Sequence, residues 1–375
     1  MKKFKMEPLK DNVEEMFIGP FGSSLKNDCF VDENEAFCMV YEQKHAIQKT
    51  MDVETRYVNE KKYNELKRFN VRGGDIIVSC RGTIGETFVV PENAPLGIMH
   101  PSIMKIRLKD GVYDKGYFND LLYTRLKKHE AEANGSGVKM AISANKLGEE
   151  FFPVPSIQQQ KEIEGQLSLV RKIISQRGEE LSALDNLIKA RFVEMFGDPE
   201  VNSMDWPEAI IGDNCFVTKL AGFEYTKYIN YEDMGDVVMV KAQNVKNGVL
   251  NEKDLSYISN EVSDSLPRSQ LAPGDVVMTY VGANIGDVAI IDDRHKYHLA
   301  PNVAKIRPDA EKYDSMFFMH MLMMKTDYIM RNSADTAKAA LGMERIRKLN
   351  VFLPPIELQA QFSEFVKQVD KSKLL

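Results

Sequence analysis

The chain has 375 residues, 43% of them apolar and 28% charged, with a formal net charge of −6. That balance fits a soluble globular protein with room for two domains and excludes a disordered or fibrous chain; no apolar run is long enough to cross a bilayer, so the cytoplasm is the expected location. Cys29, Cys38, Cys80 and Cys215 form no CxxC and have no histidine cluster beside them, which excludes a disulfide framework or zinc site and predicts reduced thiols.

In chain order, the N-terminus MKKFKMEPLKDNVEEMF carries lysines but no apolar h-region behind them, so it is not a secretory signal. The loop PFGSSLK (20–26) follows. Basic residues cluster at Lys61, Lys62, Lys67, Arg68 and Arg72, and again at Arg345, Arg347 and Lys348, so the negative net charge does not rule out a basic binding face. Short alternating runs at 75–79, 87–90 and 103–107 predict antiparallel strands, with a glycine-rich hairpin turn at 81–85. A helix is expected over 117–129.

Residues 156–197 then read as one long helix. Apolar residues at Ile163, Leu167, Val170, Ile174, Leu181, Leu184, Ile188 and Met195 alternate by four and three, a narrow coiled-coil stripe interrupted by Arg177 and Arg191. Pro153, Pro155 and the pair Ser156 and Gln159 mark its start as a capping box, and Gly197-Asp198-Pro199 ends it. At about 1.5 Å per residue it would be a rod of about 60 Å, too long for one globule and in need of an equally long partner. Gly165 and Gly178 weaken it.

Beyond the helix the chain repeats itself. VRGGDIIVSCRGTIGETFVV (71–90) lies over APGDVVMTYVGANIGDVAII (272–291), Met39-Val40 with Gln43 over Met239-Val240 with Gln243, and Tyr57 over Tyr257. Lys105-Ile106-Arg107 lies over Lys305-Ile306-Arg307, and FPVPSIQQQKEI (152–163) over FLPPIELQAQF (352–362). The shift is about 200 residues throughout, which identifies a duplication. A helix is expected over 317–330, and Phe362, Val366 and Val369 repeat the spacing of Ile163, Leu167 and Val170. The expected fold is therefore α+β: two homologous domains of mixed antiparallel β with helices (1–153 and 198–353), a long spacer helix (154–197) and a shorter helix (354–375) packing antiparallel to it.

The Pro-(Pro/Ser)-Ile-x-x-Gln opening of each helix, the ending LDNLIKARFVEMFGDP, the PFGSSLK loop and the two GD-[IV]-[IV]-x-[ST] strands together resemble the specificity subunit of type I restriction-modification systems, over nearly the whole chain. The resemblance implies two target recognition domains, each reading one half of a split DNA sequence, and helices that set the gap and dock two methyltransferase subunits. It further implies that the chain is not catalytic and holds no cofactor. S-adenosylmethionine, ATP and magnesium would belong to the methyltransferase subunits and to restriction or motor subunits. Independently, two homologous globules joined by a stiff spacer suit a target with two half-sites at fixed separation. The helix over 354–375 is shorter than the family leads one to expect. The half of the rod from about Arg177 onward, with Leu181, Leu184 and Ile188, is expected to pack on the globules, on a second copy or on another subunit.

DNA-contact candidates are Ser23, Ser24 and Lys26 in the first loop and Lys219 and Tyr225 in its counterpart, where small and polar groups can approach phosphates or base edges. Ser136 and Lys139, and Lys338, precede the strand leading into each helix. Arg81 and Thr83, and Tyr280 and Asn284, lie on the hairpin turns, where an arginine suits guanine and an asparagine adenine, although the glycines there serve the turn. The bland reading of each loop is an ordinary glycine turn. His100, His295 and His298 lack ligand spacing, and the acids and lysine of 308–312 are contiguous, unlike those of a metal nuclease. No GxxxxGK[ST], GxGxxG or NPPY-like tetrad occurs in the sequence. The competing reading, a duplicated protein- or ligand-binding adaptor or a stand-alone enzyme without a DNA role, lacks a nucleophile–base set to support it.

Overall fold

The computed structural model describes residues 4–136, 143–325 and 341–374. The chain divides into two compact units, Met1–Ser175 and Gln176–Leu375, and each repeats the same parts in the same order.

In the first unit, Val13–Ile18, Ile103–Leu108, Ile76–Ser79 and Thr87–Val89 lie in that order as an antiparallel sheet. A second sheet orders Tyr57–Val58, Cys38–Tyr41, Gly97–Met99 and Asn70–Val71. The second unit has Cys215–Lys219, Val303–Pro308, Val276–Thr279 and Val288–Ile290 in its first sheet and Tyr257–Ile258, Val237–Val240, Lys296–Leu299 and Gln270–Leu271 in its second. Short pairs, Met6–Pro8 with Phe151–Pro153 and Glu208–Ile210 with Asn350–Phe352, join the start of each unit to its end. One pairing in each unit is parallel. Cys38–Tyr41 runs parallel to Gly97–Met99, and Val237–Val240 to Lys296–Leu299. A parallel pair needs a long crossover rather than a hairpin, and strands of three or four residues carry no sequence mark of pairing direction.

The core of each unit follows the two-residue period of its central strand. Ile76 and Val78 pack with Phe118, Leu122 and Phe152 under the helix Lys115–Ser136, whereas Ile77 faces the second sheet with Met39, Tyr41 and Val71. Val276 and Met278 meet Phe317, Phe318 and Leu322 of the helix Ser315–Met324, and Val277 meets Val238, Val240 and Leu299. The expected second helix ran to 330; beyond 325 that reading lies outside the described residues.

The repeated Lys-Ile-Arg and Gly-Asp pieces tie the layers together. Ile106 points under the helix, while Lys105 and Arg107 point the other way. Lys105 is buried, with its ammonium 2.6 Å from the Glu15 carboxylate and 2.7 Å from the Asn70 carbonyl of the second sheet. Arg107 donates two 2.7 Å hydrogen bonds to Asp75. In the second unit Lys305 reaches the carbonyls of Arg268 and Gln270, each at 2.7 Å, and Arg307 forks onto Asp275. Gly74 and Gly274 precede these aspartates at φ +83° and +88°, a conformation that costs a side-chain-bearing residue about 1 kcal/mol or more.

The long helix spans Ile157–Phe196, 40 residues without a break. Its capping box is present: the Ser156 N–H donates to the Gln159 side chain at 3.2 Å, and the Gln159 N–H to the Ser156 hydroxyl at 3.4 Å. The motif glutamine does more. Gln160, fully buried, accepts from the Asp114 N–H (2.8 Å) and donates to the Val112 and Pro155 carbonyls (2.9 Å each). Gln359 repeats this with the Asp314 N–H (2.9 Å) and the Lys312 and Pro354 carbonyls (2.9 and 2.8 Å). Each helix is thereby anchored at its first turn to the turn that starts its own unit's helix.

The distal helix, Ile356–Lys373, corrects the expectation about the far half of the rod. Phe362 lies 5.4 Å from Phe192 and 5.7 Å from Phe196, while the Lys373 ammonium reaches Asp185 at 2.8 Å. The two helices are antiparallel, and the partner that residues 177–196 were expected to lack is present within the chain. Ile188 is buried beside Phe362, Val366 and Val369, with Leu184 partly buried against them. Gln359 ties the start of the distal helix to the turn at 312–314, and Phe362 packs that start against Phe192 and Phe196 at the end of the long helix. The seam arginines have roles too: Arg177 donates to the Lys373 carbonyl at 3.1 Å, capping the distal helix, and Arg191 lies over the Phe365 ring. Unpartnered apolar surface sits earlier instead. Leu167, Val170 and Ile174 of the predicted stripe, with Leu169 and Ile173, are 42–65% exposed, while Ile163 packs on the first unit's core.

Candidate nucleic-acid interface

Strand register sorts each unit into two ends. In the first sheet of unit one, Ile18, Ser79 and Ile103 share one end, because Ile18 pairs with Met104 and Ser79 with Ile103. The loop after Ile18, the turn 80–86 and the segment 100–102 all leave from there. Backbone bonds hold them together: Gly19 N–H to Ile103 C=O (2.9 Å), Cys80 N–H to Ser102 C=O (2.8 Å) and His100 N–H to Tyr41 C=O (2.9 Å). The last bond brings Glu42 and Gln43 of the second sheet to the same end. The Asp75–Arg107 pair and the Gln160 anchor occupy the other end.

The second unit repeats this. Lys219 pairs with Ala304 and Thr279 with Val303, the Tyr280 N–H meets the Asn302 carbonyl at 2.9 Å, and the Ala300 N–H meets the Val240 carbonyl at 3.1 Å. The loop 220–228, the turn 280–286 and the segment 241–244 therefore project from one end.

Most sequence candidates gather at these two loop ends. Ser23 is exposed and Ser24 half-buried in the short turn Gly22–Ser24, and Lys26 is exposed just after it. Arg81 and Thr83 are exposed on the hairpin turn, and Arg81 makes no hydrogen bond or ion pair among the described residues. In the second unit Lys219 is exposed with its ammonium 5.4 Å from the Tyr280 ring, Tyr225 is half-buried with its ring 6.0 Å from Tyr231, and Asn284 is exposed. Ser136 is the last residue of its helix. Lys139 and Lys338 lie outside the described residues.

Several groups there were not singled out from sequence. Glu42 is buried and paired with Arg56 and with Lys44 at 3.1 Å; burial alone would raise its carboxyl, but these cations hold it below the usual range. The Gln43 Oε1 is buried without a hydrogen-bond partner among the described residues, and its Nε2 lies against Gly82 of the hairpin turn. The duplication flagged Gln43 and Gln243 but not their position beside a loop. His100 accepts or donates at 2.7 Å to the Ser102 hydroxyl, and burial pushes its ring down, toward the neutral form. Burial likewise pushes the Cys80 thiol up to about 11, so it is no thiolate nucleophile at neutral pH.

Several members of the basic clusters found by sequence have local partners. Lys62 meets Glu65, Arg72 meets Glu14 at 3.6 Å, Arg68 lies over Phe17, and Arg347 bonds Glu344 and the Val217 carbonyl. Asp309 and Lys312 pair with each other, and no group of three or more His, Cys, Asp or Glu among the described residues is placed to hold a metal. No helix among them is long and apolar enough to cross a membrane.

A duplicated α+β protein, with matching loops at one end of each unit and a glutamine-anchored helix at the other, defines the class. The chain belongs to the type I restriction modification DNA specificity domain family, which matches it twice, over residues 12–183 and 205–375. It is 23% identical over 325 residues to the type I restriction enzyme EcoBI specificity subunit of Escherichia coli, covering 79% of this chain and 66% of that protein, so it spans slightly under two thirds of this relative's length. A crystal structure of the type I restriction-modification S subunit from M. genitalium is similar with a TM-score of 0.56 and 13% identity, over 99% of this chain and 90% of that one. A structure bearing on complex assembly and conformational transition of a type I system has a TM-score of 0.56 and 15% identity, over 100% and 93%. At those identities the likeness concerns the fold.

Proposed function

We propose that this chain is the DNA-reading subunit of a type I restriction-modification complex, each unit reading one half of a bipartite site through its loop end. The observation that carries the reading is the duplication of the loop end itself: one fold, built twice, presents loops of different sequence on the same strand ends. Sequence-specific contacts need variable side chains on a rigid support, and this arrangement supplies two. The chain contributes recognition and not chemistry, and its helices set the gap between half-sites and dock two methyltransferase subunits. Those subunits bind S-adenosylmethionine and flip the target adenine, while ATP and magnesium serve restriction or motor subunits. The long helix, with apolar residues exposed at 167–174, supports the docking part of the proposal.

The test is methylome sequencing of cells with and without the gene. Loss of one split motif is expected; an unchanged methylome refutes the proposal. Exchanging residues 1–150 for another recognition domain should then alter one half of the motif, and a change in both halves would contradict modular reading.

A further inference from the structure

Among the described residues, five large apolar side chains are more than two thirds exposed: Phe21 (87%), Val201, Phe223 (71%), Met234 (83%) and Leu374. Leu374 lies beside the distal helix's end and Val201 in the segment between the long helix and the strand Glu208–Ile210. The other three lie on one connection, the one leading from the first strand of the first sheet to the second sheet, which occurs once in each unit. Phe21 is three residues beyond Ile18, and Phe223 four beyond Lys219. At the +200 shift PFGSSLK (20–26) lies over LAGFEYT (220–226), so Gly22 falls on Gly222, with Phe21 just before the one and Phe223 just after the other. Single exposed apolar residues need no explanation, but an exposed phenylalanine next to the matched glycine of the same connection in both copies does.

The backbone that carries these rings is held. In the first unit Leu25 is buried behind the turn, the Ser24 N–H donates to the Phe21 carbonyl at 2.9 Å, and the Gly19 N–H is fixed to Ile103. In the second, buried Leu220 and Ile229 flank the short helix Gly222–Tyr228, and the Ala221 N–H donates to Glu224 at 2.9 Å. The backbone of each turn is thus fixed, so little backbone entropy is lost when its ring is covered. Cations stand in the same loops: Lys26 in one, Lys219 and Lys227 in the other. A rigid apolar ring among cations, on the strand end that also carries Arg81 or Asn284, suits a nucleic-acid surface, where the cations meet phosphates and the ring meets bases.

We infer that Phe21 and Phe223 insert between bases of their respective half-sites, each acting as an apolar wedge that unstacks one base step and positions its unit on the DNA. This rests on the DNA-reading proposal. Space is open around both turns: a side chain added at Gly22 or Gly222 would meet no atom of the described residues within 4 Å, and each ring stands in solvent, so it can enter a gap between bases without leaving a contact on the protein. Stacking on an aromatic ring is worth on the order of 10- to 100-fold in binding when the ring is removed.

The test uses the full chain assembled with its methyltransferase partner and duplexes carrying the motif found by methylome sequencing. Phe21→Ala and Phe223→Ala are each expected to weaken binding about 10- to 100-fold, and Phe21→Trp to stay within a few-fold of the parent. 2-Aminopurine placed in turn at each position of one half-site should brighten at one step with the parent and not with the alanine variant of the matching unit. Both alanine variants should unfold as the parent does, since the rings are exposed. Parental binding by both alanine variants overturns the wedge while leaving the DNA-reading proposal standing. A loss of affinity without any 2-aminopurine change in the parent, or one reproduced by replacing thymine with uracil, shows packing on a methyl group instead and overturns insertion. A parent complex that binds the motif no better than random duplex overturns both.

Discussion

Gln359→Ala is the sharpest probe of how the helices are attached. The side chain is fully buried and makes three hydrogen bonds, accepting from the Asp314 N–H and donating to the Lys312 and Pro354 carbonyls. Truncation leaves all three backbone groups without their partner. At about 1 kcal/mol each, the loss is about 3 kcal/mol, more if no water enters. With a urea dependence of about 2 kcal/mol per molar for a unit of this size, the unfolding midpoint should fall by about 1.5 M. The chain's single tryptophan, Trp206, reports on the correct place: its indole N–H donates to the Phe196 carbonyl at 3.0 Å, at the end of the long helix within the second unit. Its fluorescence should follow the second unit's unfolding. Gln160→Ala removes the matching set from the first unit and should leave the tryptophan transition nearly in place while lowering a second transition seen by circular dichroism. A Gln359→Ala midpoint within about 0.3 M of the parent would refute the anchor, since even one lost bond predicts a larger shift.

Asp75→Asn should cost more than Asp275→Asn, about 3 kcal/mol against about 1, because the Arg107 side chain left behind is buried whereas that of Arg307 is half exposed to water. Urea melts of the two variants decide the order, and equal costs would contradict it. Ile188→Asp should destabilise the second unit by more than about 4 kcal/mol, whereas Ile174→Asp, at an exposed position, should change the isolated chain by less than about 0.5 kcal/mol. Thermal melts test both; a costly Ile174→Asp would mean that the exposed stripe is covered. Burial pushes the His320 ring down to about 4, with Asp370 pulling it back and Lys373 again lowering it. A folded value below the unfolded one means that the unfolded chain binds the proton more readily, so this contribution is intact above about pH 6.5 and is lost as pH falls from there toward 4. His320→Gln should flatten the second unit's stability over that window, and an unchanged slope would show that the ring does not control it.

Much of the fold was legible because the chain is a duplication. The +200 shift pairs Gly74-Asp75 with Gly274-Asp275 and Lys105-Ile106-Arg107 with Lys305-Ile306-Arg307 without any knowledge of contacts. The long helix was legible from its capping box and its four-three stripe. What was not legible depended on distance in space. The Gln160 and Gln359 anchors bind backbone groups more than 40 residues away, which no local pattern records. The direction of the Cys38–Tyr41 and Gly97–Met99 pair, and the fact that the distal helix meets residues 177–196, follow from where whole units deliver their chain ends. The candidate site was legible only as loops. Residue type singled out Lys26 and Arg81, whereas nothing in the sequence marked the rings of Phe21 and Phe223 as exposed.

The two ends of each first sheet lie three residues apart along the central strand, from Ile76 to Ser79, or about 10 Å at roughly 3.4 Å per residue. Effects of substitutions separated by that much, with no shared partners, add to within about 0.5 kcal/mol. A loop at 19–26 or 80–86 can therefore be rewritten while Asp75, Arg107 and Gln160 hold the unit and its helix as before. New recognition would be reached by exchanging surface loops alone, by recombination or drift, without passing through an unfolded ancestor. Because the duplicated unit repeats this separation, the chain has two independent places where such experiments of nature can run.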